Sequence, residues 1–259
     1  MTAIEPAQYS ELISVLFDPN SPDHPRLSSV LAGRHPGTAL VDDVTNPQWC
    51  IIRSGWIGRT FIGGEMDAKS VAQAIALLRR QGHVHLDKSD PHARLFPTDE
   101  IAEDARFAFS GRLTGLPQFE DHFLELPEGC TIRPMDKELV ERCLWTDELP
   151  PIFGTLERYL EVSIGFCLMK EDQILSEAHA FFWGDDSVEI GAITDEGHRG
   201  LGYAPIATAH LIRACEQRGY STYWGCDIDH TSSVSAAKKM GFPDPRHYTL
   251  KVYGPLDES

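Results

Sequence analysis

Hydrophobic and polar positions alternate in two rhythms along the second half of the chain. Apolar runs at Gly165–Met169, Ile174–Trp183 and Val188–Thr194 are cut by polar turns, Lys170-Glu171-Asp172 and Gly184-Asp185-Asp186. This pattern predicts antiparallel strands. From Ala204 to Arg218 the rhythm lengthens: Ala207, Leu211, Ala214 and Cys215 fall on one helical face, and Gly219 ends the helix. Tyr220–Asp227 then reads as a strand, Ser233–Met240 as a helix stopped by Gly241, and Tyr248–Tyr253 as a last strand. Upstream, Thr131–Arg133 opens a strand, and Lys137–Trp145 and Leu156–Val162 read as helices.

The first half is sparser. Asp18–Pro25 reads as a polar, proline-rich loop. Ala39–Val41, Trp49–Ile52 and Thr60–Ile62 predict strands. A helix follows over Asp67–Gln81, with Asp67 as its cap, Gly82 as its stop and Val71, Ile75 and Leu78 on its apolar face. His83–Leu86 reads as a further strand and Asp99–Phe109 as a second helix, and Pro117–Pro127 looks like an interdomain connection. The expected division is an accessory α/β domain over residues 1–125 and a second domain over residues 126–259. The first half echoes the strand–helix–strand order of the second, which raises the suspicion of a degenerate copy.

Composition narrows the class. The 259 residues are 42% hydrophobic with a net charge of −16, divided as −6 over residues 1–127 and −10 over residues 128–259. An acidic surface argues against nucleic acid, whose phosphates call for basic groups. It favours cationic partners such as amines, although acidity also serves solubility alone. No apolar run approaches a membrane span, and Met1–Ser10 lacks the pattern of a secretory signal. Six cysteines form no C-x-x-C pair. They are expected as free thiols in the cytoplasm. His83-x-His85-x-Asp87 would share a strand face but reads as a polar face, so no metal is expected.

The chemistry concentrates in His198-Arg199-Gly200-Leu201-Gly202-Tyr203-Ala204-Pro205, which joins a predicted strand to a predicted helix. Such a turn offers backbone N–H groups and a helix N-terminus to an anion. Pro205 stands where a dinucleotide fingerprint needs its third glycine, and no Gly-Lys-Ser/Thr follows as in a Walker loop. The register Arg199-x-x-Gly202-x-Ala204 resembles the acetyl-CoA pyrophosphate loop of the GNAT N-acetyltransferases. Further matches are Gly165-Phe166-Cys167, Glu189-Ile190, Thr194, Trp224, Ser233 and Lys239-Met240-Gly241-Phe242. Together they cover Leu126–Gly254 and are most similar to the subgroup that includes the zwittermicin A resistance acetyltransferase.

The resemblance implies a C-terminal GNAT fold, a mixed, mostly antiparallel sheet flanked by helices. It implies acetyl-CoA as cofactor. The pantetheine would lie between Val188–Thr194 and Tyr220–Asp227. Backbone near Ile193 and Thr194 would hold the acetyl carbonyl. Arg199, Gly200, Leu201, Gly202, Tyr203, Ala204 and Pro205 would hold the pyrophosphate, with Ser233 near the cofactor and among the candidate catalytic residues. Glu189 is the first candidate for general base, and Glu177 and His179 are the alternatives. One departure matters. Many members carry Asn-x-x-Ser/Ala-x-x-x-Tyr before the final Gly-Phe, the tyrosine protonating the leaving thiolate. Here His230 and Ala237 stand at the Asn and Tyr positions. Tyr203, Tyr223, Tyr248 or solvent could donate that proton.

The expected activity is acetyl transfer to a primary amine of a small cationic molecule. Competing readings are a non-catalytic acyl-CoA-binding or regulatory protein, and a protein N-acetyltransferase. Homodimerisation stays open.

Overall fold

The computed structural model describes residues 1–117, 119 and 123–256. Contacts gather them into two units, Met1–Arg106 with the segment from His247 onward, and Phe107–Arg246.

In the first unit, β1 (Thr2–Ile4), β2 (Gly37–Val41), β3 (Trp49–Ser54) and β4 (Arg59–Gly64) pair antiparallel in order. β5 (Val84–Asp87) then pairs parallel to β4 through Arg59↔His85 and Thr60↔Leu86. A parallel neighbour requires a crossover, supplied by helix α3 (Ala68–Arg79). The strands are buried on both faces. Leu40 and Ile51 meet Val71, Ala74, Ile75 and Leu78 of α3. Ala39, Val41, Cys50 and Ile52 meet Leu27, Val30 and Leu31 of α2 (His24–Leu31), which follows the short α1 (Ser10–Ile13). The edge beside β5 is filled by the last strand, β12 (Arg246–Tyr253), through Leu250↔Asp87 to Tyr253↔Val84.

The second unit repeats this order. β7 (Cys130–Pro134), β8 (Gly165–Lys170), β9 (Gln173–Trp183) and β10 (Ser187–Thr194) pair antiparallel. Helix α7 (Tyr203–Gln217) crosses to β11 (Ser221–Asp227), which pairs parallel to β10. Ala207, Leu211, Ile212 and Cys215 of α7 share one core with Ala178, Ala180, Val188 and Ile190. Three short helices, α4 (Lys137–Val140), α5 (Leu149–Phe153) and α6 (Leu156–Val162), lie between β7 and β8 in sequence, and α8 (Thr231–Met240) follows β11. The fold is thus α/β with a mixed, mostly antiparallel sheet flanked by helices. Among the described residues, no helix is long and apolar enough to cross a membrane.

Several expectations change. Asp99–Phe109 is not a helix: Ala102–Gly111 forms strand β6, whose end lies beside β11 in the second unit. Phe107 and Phe109 therefore enter the same core, their ring centroids 6.1 Å apart, as period two requires. The units part inside β6 rather than at residue 125, and the last strand joins the first unit. The expected loop at 18–25 ends in helix α2, with Pro25 in its first turn, where its missing N–H costs nothing. The helix expected over 137–145 stops at Val140, and α5 was not anticipated. The expected connection at 117–127 falls partly outside the described residues, but Phe119 is buried in the second unit's core.

Candidate functional site

β10 and β11 pair through Ser187↔Ser221, Val188↔Thr222 and Glu189↔Tyr223, and no further. Both strands continue, to Thr194 and Asp227. Unpaired backbone therefore lines a gap between them. Its polarity follows from β9. Ser176 Oγ donates to the Ile193 carbonyl (2.8 Å), and Asp195 N–H donates to the Leu175 carbonyl (3.0 Å). Alternation along a strand then turns the N–H and C=O groups of Ala192 and Thr194 toward the gap. Ile193, expected there, directs its own groups to β9.

The strand–helix turn is held by His198 Nδ1, 2.6 Å from Asp195 Oδ2. Gly200 and Gly202 adopt φ of 80° and 81°. A Cβ built on either meets nothing within 4 Å. The left-handed backbone disfavours other residues, and the open space lets a ligand approach the main chain. Gly202 precedes α7, and no side chain caps the helix's first turn. Tyr203, Ala204 and Pro205 open that turn, while Leu201 and Arg199 are exposed at the loop, Arg199 lying 3.6 Å from exposed Glu196. This turn fits a diphosphate: uncapped N–H groups and a helix dipole meet open space, with the exposed Arg199 on the same loop.

The matching turn of the first unit is closed. A Cβ on Gly64 would stand 2.1 Å from the Gln48 carbonyl oxygen. Asp67 Oδ1 accepts from Ser70 N–H (2.9 Å), so the N-terminus of α3 already holds its own carboxylate.

Glu189 lies at the last paired position before the gap, 8% exposed. Its neighbours Val188 and Ile190 pack into the α7 core, so Glu189 faces the opposite side of the sheet. Tyr223 is its in-register partner on β11. The β9–β10 register slips between Glu189 and Ile190, leaving Phe181 as an extra residue. Beyond the slip, Gly191 pairs with His179 and Ile193 with Glu177, placing these side chains on the same face as Glu189.

Glu177 and His179 are wholly buried and engaged. Glu177 accepts from Leu144 N–H (2.7 Å) and Trp145 N–H (2.8 Å). His179 Nε2 lies 3.1 Å from Glu177 Oε1, and its Nδ1 lies 2.8 Å from the Tyr159 hydroxyl. Burial, the largest cause, pushes the Tyr159 hydroxyl well up, so it stays a neutral phenol. His179 is engaged at both ring nitrogens, by Tyr159 on one side and Glu177 on the other. Cys143, Glu177 and His179 offer ligand atoms within 4.8 Å of one another. Burial, then the Glu177 charge, pushes the Cys143 thiol up to about 12, so it is no ready thiolate. With both imidazole nitrogens and both carboxylate oxygens already bonded, the cluster reads as a satisfied network. Tyr159, Trp145 and Cys143 belong to this face but carry no sequence signal that would single them out.

Ser233 Oγ accepts from the Trp224 indole N–H (2.9 Å), joining α8 to β11. Ala237, at the usual tyrosine position, is fully buried in the core. Of the other tyrosines, Tyr203 stands in the first turn of α7, its ring 6.3 Å from His198. Tyr248 is bound within the first unit, donating to Asp23 Oδ1 at 2.8 Å.

A sequence profile described as GNAT acetyltransferase matches residues 17–251, nearly the whole chain. An uncharacterized N-acetyltransferase of Bacillus subtilis (strain 168), YdfB, is 25% identical over 263 residues, spanning 95% of this chain and 96% of that protein. Among solved structures, a GCN5-related N-acetyltransferase-like protein from Streptococcus suis 89/1591 superposes with a TM-score of 0.68 at 22% identity, covering 96% of this chain and 99% of that one. A tandem GNAT protein from the clavulanic acid biosynthesis pathway gives 0.66 at 10% identity, covering 98% and 96%. The structural likenesses show the fold, and the profile shows more: the chain belongs to the GNAT acetyltransferase family and is an acetyltransferase.

Proposed function

We propose that the second unit binds acetyl-CoA across the β10–β11 gap and passes its acetyl group to a primary amine of a small cationic molecule. The carrying observation is the end of β10–β11 pairing at Glu189↔Tyr223, followed by an uncapped helix behind two open left-handed glycines. Residues 199–205 hold the pyrophosphate, the backbone of Ala192 and Thr194 lies along the pantetheine arm, and Ser233 supports Trp224 nearby. Acetyl-CoA supplies a thioester activated toward nucleophilic attack.

The chain's own groups manage protons and position. An alkylamine is mostly protonated at neutral pH, and its ammonium cannot attack. Glu189 removes that proton, directly or through water. Backbone N–H groups of Ala192 and Thr194 are aimed where the carbonyl oxygen gains charge. Tyr223, level with Glu189, is the tyrosine best placed to return a proton to the thiolate. The charge of −16 favours a cationic acceptor. The quoted motifs favour the subgroup of the zwittermicin A resistance acetyltransferase. The expected compartment is the cytoplasm.

The test is release of free CoA thiol from acetyl-CoA in the presence of primary amines. Glu189→Gln keeps the size and removes the basicity. We expect kcat to fall about 100-fold or more, with the loss shrinking at high pH where the amine deprotonates unaided. CoA affinity should not change. Near-normal turnover across the pH range would remove Glu189 from the base role.

A further inference from the structure

The face of β10 turned away from α7 carries an aromatic cluster that the proposed proton transfers do not use. Trp145 lies 5.2 Å from Phe181 and 5.6 Å from His179, between ring centroids. Phe153 lies 6.5 Å from Phe181 and stacks on it. Phe153 and Phe181 are buried, but Trp145 keeps part of its surface exposed. A Cβ on Gly191 would come within 2.6 Å of Phe181 Cε2 and 3.3 Å of Trp145 Cη2. Only a glycine lets the two rings lie directly on the backbone of β10. That contact falls on the stretch of β10 that no longer pairs with β11, two residues beyond Glu189.

The ring is held from behind. Trp145 follows α4 in an irregular turn, where its orientation would be loose without a fixed partner. Glu177 supplies the partner by accepting the backbone N–H groups of both Leu144 and Trp145. The carboxylate is fixed in turn by His179, and His179 by Tyr159. The Tyr159 hydroxyl occupies space that a side chain at residue 165 would fill: a Cβ on Gly165 would overlap it. Two glycines, a buried carboxylate and a buried imidazole thus place one partly exposed indole beside the gap.

We propose that Trp145 is a specificity-determining wall of the acceptor site and that Glu177 is the positioning residue that holds it against β10. The acceptor is then a primary amine borne on a flat, apolar carbon skeleton that lies against the indole. This rests on the reading of β10 as the strand beside the thioester. An aromatic surface rewards an apolar partner by burial and stacking, and offers a hydrated polyamine much less.

The test compares 2-phenylethylamine with spermidine as acceptors for the full chain, with acetyl-CoA binding measured separately by calorimetry. We expect kcat/KM for 2-phenylethylamine to exceed that for spermidine by about tenfold or more. Trp145→Ala should raise the KM for 2-phenylethylamine about tenfold, with kcat and the KM for acetyl-CoA little changed, the signature of lost uniform binding. Trp145→Phe should recover most of the loss. Glu177→Gln leaves one carbonyl oxygen where two carboxylate oxygens received the Leu144 and Trp145 N–H groups, so it should raise the acceptor KM while leaving the pH limbs of kcat in place. An unchanged acceptor KM in Trp145→Ala overturns the proposal, as does a preference for spermidine. A shifted pH limb in Glu177→Gln would make Glu177 part of the proton path instead. If Glu177→Gln fails to fold, the two Trp145 variants decide. Acetyl-CoA binding without turnover of either amine overturns the acceptor class alone, whereas absence of acetyl-CoA binding overturns the proposed function itself.

Discussion

Gly202→Ala separates the cost of backbone strain from the cost of lost ligand contact. Gly202 has φ of 81°, and a Cβ there meets no protein atom within 4 Å. The substitution therefore costs only the left-handed conformation, about 1–2 kcal/mol. At roughly 2–4 °C per kcal/mol for a protein near this size, Tm should fall by a few degrees. Gly219, at the other end of α7, has φ of 92° and the same empty surroundings. Gly219→Ala is therefore a matched control with similar strain and no place near the phosphates. In Gly202→Ala the methyl group enters the space where the diphosphate approaches the main chain. Losing one hydrogen bond to a charged group costs about 1.5–3 kcal/mol, or about tenfold to a hundredfold in affinity. Calorimetry at matched temperature should show that loss in Gly202→Ala and near-normal CoA binding in Gly219→Ala, with both Tm values lowered alike. Equal CoA affinity in the two variants would refute the assignment of the loop.

Calorimetry should also find a single CoA per chain, because Gln48 and Asp67 fill the corresponding turn of the first unit; two equivalent sites would show that turn to be open. The first unit should lose stability in acid in two stages, followed by urea denaturation from pH 8 to pH 2. Burial, the dominant cause, pushes His85 down to about 4 from 6.5, so unfolding takes up a proton and stability falls between those values. Burial raises the Asp23 carboxyl, but Arg59, Arg26 and the hydrogen bonds from Arg59 and Tyr248 outweigh it and hold the carboxyl below its usual range. That contribution is complete above the unfolded value of 3.8 and is lost as pH falls from there to the folded value of about 2. Asp23→Asn should flatten the lower stage and His85→Gln the upper one; unchanged slopes would remove these groups from the acid transition.

The part of the site that could be read from sequence is the part built from local rules. Gly200 and Gly202 announce a turn because few other residues tolerate positive φ. The spacing of Ala207, Leu211 and Cys215 announces the helix that the turn opens. The position of Glu189 follows from strand alternation. What could not be read depends on partners far apart in the chain. β6 looks helical because Ala102-Glu103-Asp104-Ala105 is a good helix former, and only its neighbours β11 and β12 make it a strand. The last strand is apolar enough for either unit, and its pairing with β5 leaves no mark in its own residues. Trp145 is placed by a carboxylate 32 residues away. The register slip that puts Phe181 beneath it has no local signature at all.

A crystal structure of the protein with CoA bound tests the central claim most directly. We expect the pyrophosphate against the main chain of residues 200–204 at the start of α7, and the thiol between Ala192–Thr194 and the unpaired end of β11, within reach of Glu189 and Tyr223. CoA bound along β4 and β5 instead, or lying outside a gap that Ala192 and Thr194 do not line, would contradict it.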